Sequence, residues 1–282
     1  MKRLFNILYQ PYKYLIFAPF LLVSTLCFGF LAVVLLFVGF SPRFVSDLCG
    51  ARWSRLNSRM TPMFVSVQGR ENIDPEQSYV IASNHQSHYD VFVLYGWLGV
   101  DFKWVMKQEL RKITALGVAC EKLGHIFIDR SNKQAALDSL NEAKKKITGG
   151  TSVLFFPEGT RSETEEMGEF KKGAFRMALD LETPILPITI LGTGKVLPPH
   201  TTNLLPGRAT LIIHPPISIE GYDLEDIEKL MDVTRAVIQV GIDTRKPASR
   251  ENVPSYRGHR PTFLPQSGTH DHSSAHENGP GE

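Results

Sequence analysis

Between Ser83 and Asp90 the chain reads SNHQSHYD, directly after the apolar run YVIAS. A histidine held by a carboxylate is a competent general base, because the acid fixes the ring tautomer and stabilises the imidazolium. His85 and Asp90 are five residues apart. On a straight helix they would point about 140° away from each other, at ~100° per residue. They meet only if His85 sits in a strand-to-helix turn and Asp90 on the helix that follows. Ser83, Asn84 and Ser87, all cap-forming types, favour that turn. Two competing readings are a structural turn with a hydrogen-bonded histidine and a metal site of His85, His88 and Asp90. No further ligand cluster follows in the sequence, which disfavours the metal.

A second constellation is LFFPEGTRS, residues 154–162. An apolar strand runs into Pro157 and then Glu158, Gly159, Thr160 and Arg161. Arg161 offers a rigid fork for a phosphate, and the Thr160 hydroxyl and Gly159 amide add donors. Lys171 and Lys172 follow in GEFKKGA and fit an anionic ligand nearby. The competing reading is a salt-bridged loop beside a solvated basic face. GTGK at 192–195 lacks the full phosphate-loop pattern, since Val196 follows Lys195, so nucleotide binding is not expected there.

Together the two stretches resemble the glycerolipid acyltransferases. NHQSHYD fits the NHxxxxD signature of that family, and FPEGTRS fits its second hallmark. GHIFIDR (124–130) matches the block between them, and LPITI (186–190) the hydrophobic block that follows. The four stand in family order. Within the family the sequence is most similar to the 1-acylglycerol-3-phosphate acyltransferases, also called lysophosphatidic acid acyltransferases. The resemblance covers roughly residues 61–220. It implies transfer of a fatty acyl group from acyl-CoA or acyl carrier protein to the free 2-hydroxyl of lysophosphatidate, giving phosphatidate. By the same resemblance His85 is the base and Asp90 orients it. Arg130, Glu158, Gly159, Thr160 and Arg161, with Lys171 nearby, would bind the headgroup. No metal or mobile cofactor is implied, since the thioester is already activated. Alternatives are an acyltransferase of the same fold using another lysophospholipid or a lyso-aminolipid, and a metal-dependent phosphoesterase. Where relatives often carry proline this chain has Thr114, which puts the local turn in question. Cys120 stands in an apolar helical context without an obvious base, so a buried structural thiol and direct attack by the acceptor hydroxyl are expected.

The elements that must hold these residues follow from periodicity. MFVSV (63–67), YVIAS (79–83), FKWVM (102–106), HIFID (125–129), SVLFF (152–156), PILPITI (184–190) and ATLIIH (209–214) read as strands. Helical patterns lie at 133–147, 173–181 and 224–241, the last with Leu224, Ile227, Leu230, Val233 and Val237 as its apolar stripe. The alternation predicts an α/β fold with a mostly parallel sheet flanked by helices. Its ligand site should lie beyond the carboxyl ends of the strands.

Ahead of this domain, residues 15–40 run without a charge, long enough for a membrane helix or helical hairpin. The run is too long for a typical signal-peptide core. Pro19, Gly29 and Gly39 are positions where it could kink or break. Cations lie on both sides, so charge alone does not orient it. In 41–60 apolar Phe44, Leu48, Trp53, Leu56 and Met60 alternate with arginines. That pattern suits a helix on an anionic membrane surface, or one packed on the domain. The chain thus divides into an anchor region (1–60), a catalytic domain (61–245) and a tail (246–282) expected to be disordered. The tail holds His270, His272 and His276, read as solvated.

Lys plus Arg is 31 and Asp plus Glu 29, a near balance that argues against a nucleic-acid coat. Cys27, Cys49 and Cys120 form no ligand pair, which favours a reducing compartment. The expected partners are the bilayer, its lysolipid and the thioester donor, with the catalytic domain on the cytoplasmic face.

Overall fold

A computed structural model describes residues 9–129, 131–147, 149–162 and 166–244. The C-terminal tail and Arg130 lie outside the described residues. The apolar segment forms one helix, α1 (Tyr9–Val38), rather than a hairpin. Pro19 follows a π-helical turn over Lys13–Phe17. Such a widened turn is where a helix accommodates a residue that has no N–H. Gly29 passes without a break, and Gly39 ends the helix. Its φ of 100° is left-handed, and its N–H bonds back to the carbonyls of Leu35 and Leu36.

A second helical run follows as Pro42–Val45, a π-segment Ser46–Ala51, and α2 (Arg52–Met60). Part of this run packs on the domain, as one of its two sequence readings expects. Ser54, Asn57 and Ser58 are fully buried, and Leu48, Trp53 and Met60 of the apolar stripe pack against the core, while Phe44 and Leu56 stay exposed. The buried face meets α3 (Tyr89–Trp97), where Gly96 lets the Arg55 and Ser54 side chains approach closely. Arg55 Nε donates to the Gly96 carbonyl at 2.6 Å.

The sheet has seven strands: β1 (Met63–Gln68), β2 (Val80–Ser83), β3 (Phe102–Lys107), β4 (Ile126–Ile128), β5 (Ser152–Phe155), β6 (Ile185–Leu191) and β7 (Gly207–Ile213). Their order is β1-β7-β6-β2-β5-β3-β4. Every pairing is parallel except β6 with β7, so β1 and β7 run against the other five. Burial follows position. Strands β2, β5 and β6 are buried at every residue, as parallel strands covered on both faces must be, whereas β1 and β7 alternate.

Helices α4 (Thr114–Lys122), α5 (Lys133–Lys144), α6 (Gly173–Asp180) and α8 (Ile227–Asp243) flank the sheet, with a short α7 (Thr193–Val196) after β6. Thr114 is the first residue of α4, with Ile113 extended before it. That is a position proline also fills, so the threonine leaves the turn intact. One correction concerns α8. Leu224 precedes the helix and is 54% exposed, and Val233 is exposed too. The buried stripe is Ile227, Leu230, Thr234, Ile238, Gly241 and Ile242. Its phase is set by Gly241, on which a Cβ would stand 2.4 Å from the Thr189 hydroxyl of β6.

Candidate active site

The parallel register brings the two motifs together. Ala82 of β2 pairs with Phe155 of β5, so the residues that leave these strands leave side by side. Asn84 extends β2 beyond its last pair. Its side-chain amide donates to the Ile190 carbonyl at 2.9 Å and its Oδ1 accepts the Ile190 N–H at 2.7 Å. The chain then turns, and α3 begins at Tyr89. His85 lies in that turn and Asp90 in the first turn of α3, the geometry their spacing requires. His85 Nδ1 and Asp90 Oδ2 are 2.8 Å apart.

Asp90 is fully buried, and the same Oδ2 accepts the N–H groups of Gln86 (2.7 Å) and Ser87 (2.9 Å). A carboxylate that already accepts two amides acts toward the ring as an acceptor. Nδ1 therefore carries the proton, and Nε2 carries the lone pair. The ring lies flat on Phe156, with centroids 3.8 Å apart and planes at 13°. Phe156 is the first residue past β5, so the strand end supplies a platform that fixes the imidazole plane.

The loop after β5 grips the His85 peptide from both sides. Glu158 Oε1 accepts the His85 N–H at 2.9 Å, and the Ser162 N–H donates to the His85 carbonyl at 2.8 Å. The other Glu158 oxygen accepts the Gly168 N–H at 2.8 Å. Both oxygens of this buried side chain therefore hold backbone. Burial pushes its carboxyl upward, against the pull of the two amides. Gly159 has φ +75, and the Lys171 side chain lies across it, its Nζ 2.8 Å from where a Cβ would stand. A side chain at 159 would displace that cation.

Arg161 is half-buried beside the turn. Its charge reaches His88, whose pKa is lowered by burial first and by Arg161 second, so His88 is held neutral. The structure thus gathers His85, Asp90, Glu158, Gly159, Arg161 and Lys171 around one turn. Thr160 is exposed at its rim. Asn84, Phe156 and Gly168 are members that the sequence reading did not assign. Their partners lie on other strands or loops, so no local pattern marks them.

An apolar cavity of about 650 Å³ opens beside His88 and Tyr89. Its far wall is α1, through Phe17, Ala18, Leu21 and Leu22. From Tyr12 to Thr25 the helix is bonded to α2 and to Thr202. Tyr12 donates to the Met60 carbonyl (2.7 Å), Lys13 to that of Thr202 (2.7 Å), Ser24 to Asn57 (3.1 Å), and Trp53 to Thr25 (3.2 Å).

Residues 64–191, which contain this turn and its clamps, match the family model described as Acyltransferase. These residues belong to the acyltransferase family. The chain is 38% identical over 160 residues to a chloroplastic 1-acyl-sn-glycerol-3-phosphate acyltransferase of Brassica napus, covering 56% of this chain and 46% of that protein. It is 35% identical over 173 residues to 1-acyl-sn-glycerol-3-phosphate acyltransferase alpha of Mus musculus, covering 61% of each. The chain spans about half the length of the plant and algal relatives it matches. Among solved structures it is similar to the 1-acyl-sn-glycerophosphate (LPA) acyltransferase, PlsC, from Thermotoga maritima. The TM-score is 0.72 at 25% identity, over 89% of this chain and 100% of that one. The likeness therefore takes in most of the chain outside the acyltransferase domain as well.

Proposed function

We propose that the protein transfers a fatty acyl group from a thioester, acyl-CoA or acyl carrier protein, to the 2-hydroxyl of 1-acylglycerol-3-phosphate, giving phosphatidate at a membrane surface. The observation that carries this is the His85–Asp90 pair at 2.8 Å, set between a cationic turn and an apolar cavity. His85 Nε2 takes the hydroxyl proton as the oxygen attacks the thioester carbon. Collapse of the tetrahedral adduct breaks the C–S bond, and the thiolate leaves with the proton from the imidazolium. Asp90 stabilises that imidazolium.

Arg161 and Lys171 are assigned to the phosphate, with Arg130, Thr160 and the Gly159 amide as further headgroup contacts. Glu158, whose two oxygens hold the His85 and Gly168 amides, is given a positioning role instead of a headgroup contact. The cavity has the volume and lining for hydrocarbon. Burial pushes the Cys120 thiol up to about 12, so it stays protonated, which supports direct attack without an acyl-enzyme. All three contacts of Asp90 fall on Oδ2, the oxygen that faces the imidazole. Helix α1 would attach the enzyme to the bilayer, with the acyltransferase domain on the cytoplasmic face.

The test is an assay of the purified full chain with lysophosphatidate and acyl thioesters, following thiol release and lipid product. His85→Ala should lower turnover at least ~10²-fold, the usual share of a positioned base. Near-wild-type turnover in that variant removes His85 from the chemistry. Acceptor competition with lysophospholipids of larger headgroup, or with a lyso-aminolipid, decides the acceptor.

A further inference from the structure

Outside α1, three exposed aliphatic side chains lie within nine residues of one another, from Leu110 to Val118. Leu110 is 39%, Ile113 49% and Val118 44% exposed, in the 3-10 turn Gln108–Lys112, the extended residue after it and helix α4. We propose that this stretch is a second lipid contact, a lip that enters the headgroup layer of an anionic bilayer beside α1. The inference rests on the reading of α1 as a membrane helix.

Three observations carry it. The first is continuity with α1. The buried face of α4, Ala119 and Leu123, packs with Ala32 of α1 and with Val45 and Cys49 of the following helical run. At the far end of α4 the Lys122 ammonium lies 4.2 Å from the Phe37 ring centroid. Helix α4 thus lies against the helix whose Phe30, Val34 and Phe37 are exposed, with its own outer face beside them.

The second is charge. Residues 107–122 carry Lys107, Arg111, Lys112 and Lys122 against Glu109 and Glu121, a net +2 by count. Arg111 is held by Glu121, and Lys107 and Lys112 are exposed. Apolar tips flanked by exposed lysines suit the boundary between headgroups and acyl chains, where the tips lose water and the ammonium groups stay at the phosphates.

The third is that the lip is a built corner. Gly117 packs so tightly on the turn that a Cβ would stand 2.1 Å from the Arg111 carbonyl oxygen, and its N–H bonds to Ile113 O at 2.6 Å. The lip leaves the carboxyl end of β3, which runs parallel with β2 and β5. It therefore stands on the edge of the sheet that carries His85. Lipid contact here would fix the tilt of the catalytic turn over the bilayer.

The experiment uses the full chain in a Cys27→Ser background, since Cys27 is exposed whereas Cys49 and Cys120 are buried. Ile113→Cys and, separately, Val34→Cys are labelled with an environment-sensitive fluorophore. Each is mixed with phosphatidylcholine–phosphatidylglycerol vesicles bearing brominated acyl chains. The proposal expects a blue shift and bromine quenching at both positions. Quenching at 34 with a water-like signal at 113 overturns the lip and leaves the anchor standing. A water-like signal at both overturns the membrane reading of α1 itself. In the same background, Lys107→Gln with Lys112→Gln should lower the preference for anionic over neutral vesicles roughly tenfold at low salt. The difference should shrink as salt is added. An unchanged preference overturns the electrostatic half of the proposal.

Discussion

Glu158 and Arg161 stand three residues apart on one turn, yet they should fail differently when changed. Glu158 holds two backbone amides, one of them that of His85. Glu158→Gln would set an NH₂ group against one of those N–H donors, a mismatch costing about 1–3 kcal/mol for a buried group. The expected result is a fall in kcat of at least ~10-fold with little change in KM for the acceptor. Arg161→Ala should do the reverse, raising KM for lysophosphatidate and sparing kcat. Steady-state kinetics on both variants decides this, and a KM effect at Glu158 would return it to the headgroup role that the family resemblance implies. At this scale the sequence is most informative about residues whose partner is near in the chain. The spacing of His85 and Asp90 admits the pair across a turn, and the family resemblance selects it over a structural turn or a metal site. The clamp of Asn84 on Ile190 and the platform of Phe156 under the imidazole cannot, since strand pairing creates both.

Elements are recognised by composition and misjudged in phase. All seven strands are legible, because β-branched runs bounded by turn residues leave little choice. The α8 stripe is not. Asp223 Oδ1 accepts the N–H groups of Glu225 and Asp226, which turns the chain and starts the helix after Leu224. From Leu230 onward the contact face then follows Thr234, Ile238 and Gly241 against β6, leaving Val233 to solvent. In the same way, small residues govern the joint between the 3-10 turn and α4. Gly117→Ala should cost about 1–3 kcal/mol, the usual range for overpacking against atoms that cannot move aside. Chemical unfolding in detergent measures it. A variant as stable as wild type would mean that the turn over Arg111 yields freely. The same variant should leave kcat at saturating substrate near wild type, because no clamp on His85 passes through it.

For the molecule as a whole, buried neutral histidines set the acid limit. His125 is fully enclosed, its Nδ1 accepting the Trp104 N–H at 3.3 Å. Burial, followed by Lys103 and Lys146, pushes its pKa down to about 3. Burial lowers His214 in the same direction. Below the ordinary value of 6.5 the unfolded chain binds protons that the fold refuses. Stability should therefore fall as pH drops from 6.5 toward 3, by up to about 1.4 kcal/mol per pH unit for a single such group. His125→Gln should flatten the slope by one proton in urea titrations taken at several pH values. An unchanged slope would show that His125 is protonated inside the fold. Of the long-range arrangement, the layers and sheet class follow from the alternation of strands and helices. The joining of α1 to the domain does not, because its bonds run through backbone carbonyls and hydroxyls such as those of Met60, Thr202 and Thr25.

That joint makes the leading helix a component and not a handle. Exchanging residues 9–38 for an unrelated spanning sequence would still deliver the protein to its lipid. It would also remove Phe17, Ala18, Leu21 and Leu22 from one side of the hydrocarbon compartment and open that side to whatever surrounds it. If the cavity holds the acyl chain as proposed, such a chimera should sediment with vesicles as the parent does and yet turn over acyl thioesters of different chain length in different proportions. On the proposed reading, attachment and chain preference would both depend on the same thirty residues.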